Sequence, residues 1–162
     1  MGISKTRKEV IVSLPGRIRE LFLAPQSFYE ASEAAHLLGW SSTEIERAIV
    51  EGEVEARYAR AGYRLAWPEV TVMFTAQHSQ SIIEQALAEE AAAVMPELVR
   101  LAELRLQIPR YQAVMITQLA DRENISIDEL VACHFLDLAS AEAEWLASKI
   151  SGFSAALRWP EP

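Results

Sequence analysis

With 162 residues the chain is long enough for one compact domain or two small ones, and at 51% hydrophobic it can bury a core, which excludes disorder throughout. A formal charge of −8 excludes a protein that grips nucleic acid by bulk positive charge, so any basic surface has to be local. The single cysteine, Cys133, excludes an internal disulfide, fits a reducing cytoplasm, and reads from its apolar neighbours as a buried small hydrophobe.

No long apolar region follows the start, and no run approaches the ~18 apolar residues of a membrane span, so a soluble, cytoplasmic protein with no membrane partner is expected. Residues 1–27 read as an N-terminal arm. Residues 1–30 hold Lys5, Arg7, Lys8, Arg17 and Arg19 against Glu9, Glu20 and Glu30, so this end is basic while the rest is acidic. Such an arm either reaches into a DNA groove or is a solvated tail. Val10 to Leu14 before Pro15 reads as a short strand or an extended arm, and Gly16 to Leu23 as one or two helical turns.

Residues 28–78 hold the most informative stretch. Ala31, Ala34, Ala35 and Leu38 recur at helical steps and Gly39 supplies a left-handed stop. Ser42 is placed to cap a second helix carrying Ile45, Ala48 and Ile49 inward, which Gly52 ends. Two short helices about a Gly-containing turn make a helix-turn-helix unit. Val54 to Tyr58 and Tyr63 to Trp67 then flank Ala61-Gly62 as a hairpin.

Over residues 30–70 this order, with Glu33-Ala34-Ala35, Leu37-Leu38-Gly39, Glu51-Gly52 and Trp67-Pro68, resembles the excisionase-like and MerR-like winged helix-turn-helix domains. The resemblance implies duplex DNA as partner, with Ser42, Thr43 and Arg47 on the second helix and Arg57, Arg60 and Arg64 on the wing as contacts. Glu44, Glu46 and Glu51 depart from the family pattern, because carboxylates repel phosphate, and they shift the expected contacts toward the wing.

Residues 79–98 read as a connecting helix. Pro68 suits the first turn of a helix presenting Val70, Met73 and Phe74. The pattern Ile82, Ile83, Ala86, Leu87, Ala91, Val94 then predicts one long helix from Ser79 to Val94, a connector or a dimer-forming element.

Residues 99–162 open with Leu104-Arg105-Leu106-Gln107-Ile108, a strict alternation that Pro109 ends, which predicts a strand with one buried face. A helix from Arg110 with Ala113, Ile116, Leu119 and Ala120 follows. Ser126 with Glu129 makes a capping box for another, carrying Leu130, Val131, His134, Phe135 and Leu138. Over residues 101–138 this strand-helix-helix order resembles the ribbon-helix-helix fold of Arc- and MetJ-like repressors and bacterial antitoxins. The resemblance implies a homodimer formed by antiparallel strand pairing, with Glu103, Arg105 and Gln107 reading bases and the helix start at Ser126 holding a phosphate. Beyond residue 138 the helix is expected to continue through Ala143, Leu146 and Ile150. The aromatic tail to Trp159 is expected to pack on its own domain or, in an antitoxin, on a toxin-like protein partner.

His36, His78 and His134 are scattered, so no metal site is expected, and no glycine loop, nucleophile elbow or triad marks a catalytic or cofactor site. The expected protein is mainly α: a small winged helix-turn-helix followed by a strand-helix-helix dimerisation unit. It is no enzyme but a DNA-binding regulator, in its most specific version an antitoxin-type autorepressor. The rival is an interaction adaptor that keeps the fold without binding DNA.

Overall fold

The computed structural model describes residues 13–60 and 62–160, and the chain is mainly helical with one small antiparallel sheet. Helix α1 (Leu14–Leu23) carries proline in its first turn, where no backbone donor is lost, and buries Ile18, Leu21 and Phe22. This part of the predicted arm is therefore core, because its apolar residues recur at three- and four-residue steps. Val10 to Val12 lie outside the described residues.

Strand β1 (Phe28–Glu30) leads into α2 (Ala31–Leu38), which buries Ala34, Ala35, Leu37 and Leu38 and ends at Gly39 with φ 73°. Helix α3 (Ser42–Glu51) buries Ile45 and Ala48 and ends at Gly52 with φ 76°. Its cap is Ser41, one residue before the predicted Ser42: the Ser41 hydroxyl accepts from the Glu44 amide, and the Glu44 carboxylate accepts from the Ser41 amide. Strands β2 (Arg57–Ala59) and β3 (Gly62–Ala66) form the hairpin, one face of which packs on α2, and β1 joins as a third strand in the order β1-β3-β2. Val54 is core rather than strand, and Trp67 begins α4 (Trp67–Gln77), donating its indole N–H to the Leu21 carbonyl at 2.9 Å.

The predicted long helix from Ser79 to Val94 is broken. Helix α5 (Gln80–Leu87) ends at Ala88, whose φ is 49°; a single 3-10 turn follows, then α6 (Ala91–Val94). The reason is geometric. Ile83, Leu87, Ala91 and Met95 are all buried, and along a continuous helix this four-residue spacing drifts by about 120° over three steps. The break resets the drift and keeps all four on the core. Arg19 also donates to the freed Ala86 carbonyl.

Residues 101–109 carry no ladder hydrogen bonds within the chain and are exposed, so the predicted strand is not formed here. A strand needs a partner, and residues 101–109 pair with neither edge strand of this sheet, β1 or β2. Helices α7 (Arg110–Glu123) and α8 (Ile127–Ala141) follow, separated by Asn124 in the left-handed conformation and by the predicted Ser126 and Glu129 capping box. The helix does not run on: it breaks at Glu142 into α9 (Ala143–Lys149), and α10 (Phe153–Arg158) follows Gly152. Between Leu101 and Arg158 only Ala120 and Leu130 are buried, while Leu104, Leu106, Ile108, Phe135, Leu138 and Trp145 are exposed. Cys133, predicted buried, is exposed as well, since Leu130 is the one buried residue of α8. The tail does return to its own chain, with Trp159 stacked on Phe22 at 5.6 Å. No helix among the described residues is long and apolar enough to cross a membrane.

Candidate nucleic-acid interface

The residues read as contacts fall into three groups, and no hydrogen bond or ion pair among the described residues joins one group to another. On α3, Ser42 and Thr43 are exposed in the first turn and Arg47 on the second. The carboxylate problem is milder than composition suggests. Glu44 is turned back onto its own helix start, where the Ser41 amide and then the Ser41 hydroxyl hold its carboxyl below the usual range. Arg47 lies 3.9 Å from Glu51, both exposed, a pair worth at most about 1 kcal/mol and easily exchanged for phosphate.

On the hairpin the register sets the two faces. Tyr29 opposes Leu65, both buried against the helices, so Arg64 and its opposite Arg57 face the other way. Two arginines directly opposed repel, which leaves the pair ready for an anion. Arg64 lies 3.8 Å from the Glu30 carboxylate, and the Arg57 guanidinium lies 5.9 Å from the centre of the Phe28 ring. With Glu55 and Glu69 they line a shallow open hollow of about 240 Å³. Arg60 is exposed at the hairpin end.

Tyr58 and Tyr63, which lie outside the expected contacts, also stand on this hairpin. They are opposite each other with rings 5.2 Å apart at 75°, and Tyr58 is 78% exposed. They share the face of Leu65 but lie beyond the helices that cover it. The signal was the alternation Tyr58, Tyr63, Leu65 across the turn, which only the register makes readable.

In the third group Arg105 donates to Glu103 at 3.0 Å, and both are exposed with Gln107. The i and i+2 spacing puts Glu103 and Arg105 on one side, as the alternation requires. The Ser126 hydroxyl is already engaged by Glu129 in both directions, at 2.9 and 3.1 Å. Asp128 and Glu129 add negative charge to the same first turn, so this helix start is a poor phosphate holder.

One polar node lies in the body. Arg17 donates from Nη1 to the Leu37 carbonyl, while Arg17 Nε and His78 Nε2 have no hydrogen-bond partner in the protein. The His78 ring sits 4.5 Å from Phe74. Burial, and then the charge of Arg17, hold the His78 imidazole below its ordinary value of 6.5. Well above pH 6.5 the ring is neutral both folded and unfolded. Below it the unfolded chain takes up a proton that the folded one refuses, so stability falls as pH falls, by no more than about 1.4 kcal/mol per pH unit for one proton. Urea titrations from pH 7 to 5 are expected to show this loss, and His78→Gln to flatten it. An unchanged slope in that variant would rule the node out as its source.

Among the described residues no three His, Cys, Asp or Glu side chains come together as a metal site. Comparison of the chain with protein-family models, curated proteins and solved structures finds no match.

Proposed function

We propose that this chain is a DNA-binding transcriptional regulator that engages duplex DNA as a homodimer. A winged helix-turn-helix over residues 28–78 and a ribbon-helix-helix-like unit over residues 99–162 are its two parts, and an antitoxin-type autorepressor is the most specific form of this reading. The observation that carries it is the sequence α2, left-handed Gly39, α3, left-handed Gly52 and a β2-β3 hairpin with β1 as third strand. A capped short helix beside a cationic hairpin is what a major-groove reader with a phosphate-gripping wing requires. Dimerisation is supported by Leu104, Leu106 and Ile108, which alternate along an unpaired stretch and stand exposed.

Gel shifts on the DNA upstream of its own reading frame test this. Arg64→Ala and Arg105→Ala are each expected to weaken binding about tenfold, a loss within the ~1–3 kcal/mol of one cationic contact, and affinity is expected to fall steeply as salt rises. Full binding in both variants removes the assigned contacts.

The exposed Glu46, together with Arg47 lying beside Glu51, favours a second reading, an adaptor that holds a toxin-like protein without DNA. It predicts no shift of any duplex even at low salt.

A further inference from the structure

The body and the C-terminal unit are tied together at two places. At the first, α5 grips the segment leading to the pairing stretch. Gln80 Nε2 donates to the Val99 carbonyl at 2.7 Å, the Leu101 amide donates to the Glu84 carboxylate at 2.7 Å, and Arg100 stands 3.7 Å from the same carboxylate. At the second, the chain returns. Helix α10 packs on the turn at Glu97–Val99, and beyond it the half-buried Trp159 stacks on Phe22 at 5.6 Å and 18°.

These ties leave little slack. From the anchored Leu101 amide only residues 102 and 103 precede Leu104, a reach of roughly 10 Å even when extended. On the far side Pro109 passes directly into α7. A Gly/Ser linker of useful length would let two DNA-reading units find half-sites at many separations, whereas a unit fastened on both sides of the pairing stretch has one position relative to it.

We propose that Glu84 and Trp159 lock the winged-helix unit to the pairing unit as one rigid arm, so that the dimer selects duplex DNA with two inverted half-sites at a single fixed separation. The inference rests on the dimeric DNA-binding reading above. Inversion follows from two-fold symmetry, and the fixed separation follows from the lock. A mutation far from DNA then changes spacing tolerance while the half-site sequence stays the same.

Two measurements on the full chain test it. Spin labels on Ser32→Cys in a Cys133→Ser background report the distance between the two bodies without DNA. One narrow distance is expected, broadened by Glu84→Gln and by Trp159→Ala and restored by Trp159→Phe. A broad distance in the parent, or one that neither variant changes, overturns the lock.

Selection from a random duplex pool is the second measurement. The wild type is expected to enrich inverted half-sites at one spacing, and 5 inserted base pairs, half a helical turn, are expected to cost about a hundredfold, the scale of lost bivalency. Glu84→Gln and Trp159→Ala are expected to enrich the same half-sites over a spread of spacings. Enrichment of single half-sites or of many spacings by the wild type overturns the selection. Narrow distances with no duplex enriched at all sink the DNA reading and the selection with it, while the rigid arm stands.

Discussion

Replacing Leu106 with lysine is expected to turn a dimer into a monomer and to abolish DNA binding with it. In the single chain Leu104 is 71% exposed, Leu106 58% and Ile108 40%, and the two helices that follow bury almost nothing of their own. Full burial of each such side chain contributes about 1.5–3 kcal/mol. Three from each copy, with the ladder hydrogen bonds of the paired backbones, are enough to offset an association cost of about 4–15 kcal/mol. A lysine in the middle removes the central pair and sets two like charges against each other across the two-fold axis. Sedimentation at micromolar concentration is the measurement, with Arg105→Ala as the control that stays dimeric while weakening on DNA. A wild type that sediments as a monomer would sink the pairing assigned to residues 104–108, and with it the ribbon as a DNA-reading surface.

Gly39→Ala is expected to cost the body about 2–4 kcal/mol, combining the strain of a non-glycine residue at positive φ with the loss of a charged hydrogen bond. Gly39 has φ 73°, and a methyl group added there would land on the Arg17 guanidinium, which donates to the Leu37 carbonyl beside it. The side chain can swing away, but then that hydrogen bond is lost. Gly52 is the internal comparison. Its φ of 76° carries the same strain, yet nothing lies within 4 Å of an added methyl. Gly52→Ala is therefore expected to cost only the strain, about 1–2 kcal/mol. Urea unfolding of both variants separates the two effects, and equal losses would show that the Arg17 contact contributes nothing.

The turns and caps were legible because they are local. Gly39 and Gly52 stop α2 and α3, Ser126 with Glu129 starts α8, and Pro68 sits in the first turn of α4, each fixed by the conformational range of a residue or by a bond three residues away. The inner stripes Ala34, Ala35, Leu38 and Ile45, Ala48 were equally readable from the helical period. The break at Ala88 was not. Its apolar pattern fits a helix as well as its observed geometry does, and only the shape of the surface that Ile83 to Met95 must cover decides between them. Strand β1 was missed for the opposite reason: three residues are too few for a period, and its identity comes from pairing with Ala66, Leu65 and Arg64.

The candidate interface divides along the same line. That Arg57, Arg60, Arg64, Arg105 and Gln107 are polar residues set into apolar patterns is a property of the chain. That Arg57 and Arg64 stand side by side, away from the helices, and that Tyr58 and Tyr63 share the opposite face, depends on the register of β2 and β3.

What the sequence by itself determined is the order and ends of the main helices, the hairpin after α3 and the acidic balance, since these follow from residue preferences acting over three or four positions. Only the tertiary structure decided that α1 belongs to the core, that the long helix breaks, that residues 101–109 find no partner within their own chain, and that Trp159 returns to Phe22. The physical reason is that each depends on which apolar surface lies opposite, at separations where the chain's own period carries no information.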